Sequence, residues 1–205
     1  PVDGRCVPLS FRPEFRRNLN AMAWLWKDHT GVAEAIEITE AARKTRPQYL
    51  AKIGGVYSSE WFFSKLLHLA RTDRKVFDAA AGFLEFADYI PAVLTGVGDP
   101  AAVKRSVCAA GHKAMYAAEW GGLPDGEFLA ALDPAFRGLR ARLYDTAYPA
   151  GVPAGVLCAE WAKRTGLAAG TPVSVGAFDG RRCTAGNGWF RRRRPGSARS
   201  SRMII

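Results

Sequence analysis

Pro172-Val173-Ser174-Val175-Gly176-Ala177-Phe178-Asp179 reads as a short buried strand that runs into a small-residue turn and ends on a carboxylate. In that reading Asp179 stands at the carboxyl end of a strand, where open α/β sheets gather their ligands. A carboxylate there can accept a proton from a substrate hydroxyl. The plain alternative is that Asp179 caps a turn or a helix.

Working outward, the pattern is of helices with occasional strands, which argues for an α/β protein. Before the decisive strand, Ala159–Arg164 reads as a short helix closed by Gly166, and Asp125–Leu132 as another. Phe83-Leu84-Glu85-Phe86-Ala87 reads as a short strand, with Asp88 capping the helix that follows. Pro91 falls in the first turn of that helix and Gly96 ends it. Phe62, Leu66, Leu69 and Ala70 form one apolar stripe at helical spacing, with Ser58 or Ser59 as the cap. A further helix begins at Thr30, its cap, with Glu34 in the first turn. Val32, Ile36, Thr39 and Ala42 or Arg43 are its spaced positions, and Pro47 lies beyond its end. Val2-Asp3-Gly4-Arg5 reads as a turn between strands. No internal repeat is visible.

With 48% hydrophobic and 11% aromatic residues among 205, the chain can bury a substantial core. No apolar run reaches the roughly 20 residues of a membrane span, and no secretory signal opens the sequence. A cytoplasmic protein is the expectation. Cys6, Cys108, Cys158 and Cys183 show no CxxC spacing, which argues for thiols rather than a zinc site or a disulfide framework. The formal charge is +10, but eight arginines and no acid lie between Gly180 and Ile205. Removing those eight charges leaves +2, so the basicity belongs to residues 180–205. Those residues have no apolar periodicity, and disorder is expected there.

Three further strings can carry chemistry. Trp26-Lys27-Asp28-His29-Thr30 sets an aromatic ring beside a cation, a carboxylate and an imidazole, a set able to hold a polyol; its alternative is a core anchor before a helix start. Gly111-His112-Lys113 places a cation after the small residues Ala109-Ala110, where backbone can approach a ligand; the alternative is a solvated lysine. Tyr57-Ser58-Ser59-Glu60-Trp61 is rich in hydroxyls at a helix start, where capping alone would explain the serines. Neither GxxxxGK[ST] nor GxGxxG occurs.

These strings, in this order, resemble the L-ribulokinase branch of the FGGY carbohydrate-kinase family. Asn20–Thr30, Ile53–Phe62, Cys108–Lys113 and Glu119-Trp120-Gly121-Gly122-Leu123-Pro124 carry the likeness. Asp88-Tyr89-Ile90-Pro91 with Leu94-Thr95-Gly96, and Thr165-Gly166-Leu167 with Gly170-Thr171-Pro172-Val173, resemble the wider family. The likeness covers roughly residues 1–180. It implies a ribonuclease-H-like (actin-like ATPase) α/β domain, incomplete here, with residues 1–179 as part of the N-terminal sugar-binding domain and 180–205 as an arginine-rich tail. It implies transfer of the γ-phosphoryl group of ATP, with Mg²⁺, to the 5-hydroxyl of L-ribulose, in L-arabinose catabolism. Asp179 matches the family's catalytic base and Lys113 a sugar-contacting lysine, while Trp26, Asp28 and Tyr57 fall in segments that line the sugar cleft.

The sequence departs from the family pattern in three places. The phosphate-contacting strand-turn-strand that should precede Pro1 and the second domain that should follow Asp179 are missing, and there is no initiator Met. After Asp179 the likeness stops abruptly at Gly180-Arg181-Arg182-Cys183, as a shifted reading frame would produce. The chain alone is therefore expected to be inactive. The competing readings are a kinase for another pentulose or pentitol, and a nucleic-acid-binding protein acting through its arginines. No stacking aromatics or recognition motif accompany those arginines, which argues against the latter. The sequence does not bear on oligomeric state.

Overall fold

A computed structural model describes residues 1–178. Asp179, the tail from Gly180 and Cys183 therefore lie outside the described residues. The helices are α1 (Val32–Thr45), α2 (Phe62–Thr72), α3 (Arg74–Ala79), α4 (Phe86–Thr95), α5 (Val107–Lys113), α6 (Gly126–Leu132) and α7 (Ala159–Thr165). The strands are β1 (Arg105–Ser106), β2 (Ala147–Tyr148), β3 (Pro153–Val156) and β4 (Pro172–Ser174). β1 and β2 pair in parallel, whereas β3 and β4 pair antiparallel, with Gly155 opposite Val173. The described part is a mixed helix-and-strand structure in which helices predominate. Among the described residues no helix is long and apolar enough to cross a membrane.

The core forms where α1, α2, α3 and α6 meet. The expected stripe Phe62, Leu66, Leu69 and Ala70 is buried on α2, together with Phe63 and Leu67. Phe77 of α3 stacks between Phe83 at 5.4 Å and Phe136 at 5.9 Å. Full burial of each such side chain contributes roughly 1.5–3 kcal/mol. Asp125 caps α6 by accepting from the Phe128 amide at 2.7 Å, and the left-handed Gly166 closes α7. The Gly166 stop agrees with the sequence pattern, whereas Asp125, read as the first residue of its helix, is its cap.

α1 is rotated from its expected orientation. Val32 and Ile36 face outward, while Ala35, Ile38, Thr39 and Ala42 are buried. Two sets of positions along α1 have helical spacing, and the set with small Ala35 near its beginning turns inward because the helix start lies close to α2. A Cβ on Gly31 would stand 3.0 Å from the Ser64 carbonyl oxygen. Glu34 follows inward and pairs with His68 of α2 at 3.2 Å. Thr30 does not cap α1: its amide and hydroxyl both donate to Asp28 Oδ1, and Gly31 takes the cap position. Neither Ser58 nor Ser59 caps α2, whose cap residue is Trp61.

Phe83–Ala87 is not a strand. Helix α4 begins at Phe86, with Glu85 at its cap position. Asp88 lies inside the first turn, buried, and accepts the Ser106 amide at 2.7 Å instead of capping. Pro91 is inside the helix rather than at its start, and Gly96 ends it with φ 71°. The strand at 172 also differs from expectation: Pro172 and Ser174 are exposed, and only Val175 beyond it is fully buried. One face of the β3–β4 pair lies on α4, so the strand is half covered rather than enclosed. At the chain start, Val2 makes isolated bridges to Pro8 and Gly82, and Asp3 Oδ1 accepts the amides of Arg5 and Val7. Cys6 and Cys158 are free thiols, as expected.

Candidate functional site

Lys113 is the last residue of α5, a short helix whose start is capped by Ser106 and whose inner face consists of Cys108, Ala109 and Ala110. Those small side chains let two other segments come close. The first is the turn before α4: Glu85 Oε2 lies 3.0 Å from the Lys113 ammonium, and each side chain is 19% exposed. The second is the segment after β4. The Phe178 amide donates to Cys108 Sγ at 3.4 Å, and its ring lies 4.6 Å from the ammonium.

Gly176 makes that second approach feasible. A Cβ at Gly176 would stand 1.9 Å from the Ala87 carbonyl oxygen, far inside contact distance. In a regular helix that carbonyl would accept from the residue four positions on, which here is Pro91 and has no N–H. The proline thus leaves the carbonyl without its helical donor, and a glycine is needed beside it.

Tyr57 supports Lys113 from beneath. Its buried hydroxyl donates to the Lys113 carbonyl and accepts from the Phe63 amide at 2.9 Å, which satisfies one of the open donors at the start of α2. Burial holds the Tyr57 phenol well above its ordinary pKa, so it stays a donor. Trp61 packs edge-on against Tyr57 at 5.2 Å and against His112 at 5.2 Å, and His112 contacts Phe178 at 6.0 Å. Burial, then the Lys113 charge, lowers the His112 pKa.

The Trp26–Thr30 loop is attached to the same region through Lys65 of α2, whose ammonium donates to the Leu25 carbonyl. Burial lowers the Lys65 pKa, the Asp28 charge raises it, and Lys113 lowers it again. Partial burial acts to raise the Asp28 pKa, but the two Thr30 hydrogen bonds and the Lys65 charge hold it below the usual carboxylate range. His29 joins the loop to Ser59 at 2.9 Å and approaches Glu60 at 3.6 Å. Trp26 itself is exposed, with the Lys27 ammonium 5.4 Å from its ring centre.

Of the residues singled out in the sequence, Lys113 and Tyr57 are thus in direct contact, Asp28 acts on Lys65 through its charge, and Trp26 is exposed and touches none of them. Glu85, Lys65, Trp61 and Phe178 were missed. Glu85 was hidden by the strand reading of its segment, whereas Trp61 stood in a quoted string and went unused. A hollow of about 760 Å³ at Pro13–Leu19 and a groove of about 500 Å³ between Asp99–Arg105 and Ala141–Tyr148 share no residue with this cluster. Among the described residues no group of three or more His, Cys, Asp or Glu could hold a metal ion.

The fold is that of a sugar kinase in part. A solved xylulose kinase from Brucella ovis superposes with a TM-score of 0.54 at 24% identity, over 75% of this chain and 28% of that one. By sequence the chain is a relative of the ribulokinases. The ribulokinase of Vibrio parahaemolyticus is 42% identical over 180 residues, and that of Shouchella clausii 39% identical over 180 residues. Each match takes in 87% of this chain, which spans about a third of the length of these curated relatives, 32% and 31%. No family model matches the chain.

Proposed function

We propose that residues 1–179 are the sugar-binding part of a cytoplasmic, ATP-dependent carbohydrate kinase that converts L-ribulose to L-ribulose 5-phosphate in L-arabinose catabolism. The observation that carries this reading is the meeting of Lys113, Glu85 and Phe178 in one cluster, because Phe178 directly precedes Asp179 in the sequence. Asp179 accepts the proton of the 5-hydroxyl as that oxygen attacks the γ-phosphorus of ATP and ADP departs. Lys113 donates to a hydroxyl of the same sugar. Asp28 accepts from another, and the Trp26 ring packs on its carbons. Tyr57 acts through Lys113, since its hydroxyl is occupied on both sides. The requirement for Mg²⁺ comes from the family resemblance.

The test is L-ribulose binding to the 205-residue chain, measured by calorimetry beside D-xylulose, D-ribulose and ribitol. L-ribulose is expected to bind best, with Lys113→Ala weakening it about tenfold, as befits loss of a charge-assisted hydrogen bond. Preference for another ketose or for ribitol would move the assignment to that substrate, and no binding of any would remove the reading. A chain spanning about a third of its relatives' length is expected to release no ADP above background in a coupled assay. Turnover there would show that the described part needs nothing more.

A further inference from the structure

Glu85 sits where helices normally take a capping side chain, yet it makes no cap hydrogen bond to α4. Its carboxylate instead points to the Lys113 ammonium at 3.0 Å. An ammonium has three donors. Glu85 takes one, the Phe178 face attracts the positive charge from 4.6 Å, and a donor remains for a ligand. The Lys113 backbone is held separately, by the Tyr57 hydroxyl on its carbonyl. Lysine stems are flexible, and an ammonium at the end of four rotatable bonds recognises nothing until it is fixed.

We propose that Glu85 is a positioning residue of this site, which holds the Lys113 ammonium against Phe178 and directs its free donor to the ligand. Both side chains are partly withdrawn from water but not enclosed, the setting in which an ion pair is stronger than on the surface and still reachable. The Glu85 charge also extends to its neighbours: it raises the pKa of Lys65 and of His112, against the burial that lowers both. The removal of Glu85 would therefore leave Lys113 and Lys65 facing one another with less compensation. That the ligand is a sugar rests on the kinase reading above; that Glu85 places Lys113 does not.

The experiment uses the 205-residue chain with Glu85→Ala, Glu85→Gln, Lys113→Ala and the double variant Glu85→Gln/Lys113→Ala. Glu85→Gln keeps the side-chain size should the alanine variant fail to fold. The first readout is acylation of Lys113, quantified by mass spectrometry against the exposed Lys44. Without its carboxylate partner the Lys113 ammonium is no longer held against Phe178 and is freer to meet the reagent, so labelling is expected to rise about fivefold in both Glu85 variants. The second is L-ribulose affinity: Glu85→Gln is expected to weaken it about tenfold, and to add less than about twofold on top of Lys113→Ala. A residue with a merely structural role would lower stability without this dependence on Lys113. Unchanged labelling in both Glu85 variants would overturn the proposal, and so would effects that simply multiply in the double variant. A wild-type chain that shows the labelling rise on mutation but binds no L-ribulose would uphold the placement and overturn the kinase reading.

Discussion

Tyr57→Phe removes a single oxygen atom from the interior. The ring remains and keeps its edge-on contact with Trp61, so packing is nearly unchanged. The hydroxyl, however, has two partners, the Phe63 amide at 2.9 Å and the Lys113 carbonyl, and Tyr57 is only 5% exposed. Both backbone groups would be left buried without a partner, at a cost of about 1–3 kcal/mol each. Allowing for relaxation at two helix ends, the expected loss is about 2–4 kcal/mol, or about 4–16 °C in Tm for a chain of this size.

Urea titration and calorimetric melting would measure it, with Tyr57→Leu as the contrast that also removes the ring. A pH dependence comes with it. Burial raises the phenol pKa in the folded state, so the stability this group contributes is present below the ordinary value of 10.0 and lost as pH rises beyond it. The wild type should lose more stability at alkaline pH than Tyr57→Phe, in which the raised phenols of Tyr49, Tyr89 and Tyr144 remain. A Tm within about 1 °C of wild type at neutral pH, with the alkaline slope intact, would refute the reasoning.

Gly176→Ala would drive a Cβ to 1.9 Å from the Ala87 carbonyl, so the segment carrying Phe178 must move away from Lys113. The expected result is a loss of about 1–3 kcal/mol in urea unfolding, with Lys113 labelling raised as it is on removal of Glu85. Asp88 gives the second test. Burial raises its pKa to about 6, so its contribution to stability is present below 3.8 and lost as pH rises through about 6. At about 1.36 kcal/mol per pH unit that is at most about 3 kcal/mol, and Asp88→Asn, which keeps an acceptor for Ser106, should flatten the dependence between pH 4.5 and 7.5. Parallel wild-type and variant curves in urea would contradict it.

What the sequence made legible was local. The α2 stripe, the short helix near 125–132 and the Gly166 stop each depend on residues within a turn or two of one another, and all three stand in the structure. The rotation of α1 was not legible, because two sets of residues satisfy the same period, and the choice between them was made by Gly31 against Ser64 and by Glu34 against His68. The apolar run at Phe83 has the composition of a strand. Its backbone is committed elsewhere, since the distant Arg105 donates to the Phe83 carbonyl and Phe86 and Ala87 already belong to α4. The candidate site divides in the same way. Lys113 could be picked out because its small-residue approach is contiguous with it. The groups that fix it, Tyr57 below and Glu85 beside, reach it only through the packing of α2, α4 and α5. A side chain with one fixed neighbour is visible in a string of letters, whereas one whose role is to hold another residue is visible only where their atoms meet. That is why Glu85, read in sequence as a residue on a strand, becomes in the structure the partner that the Lys113 ammonium requires.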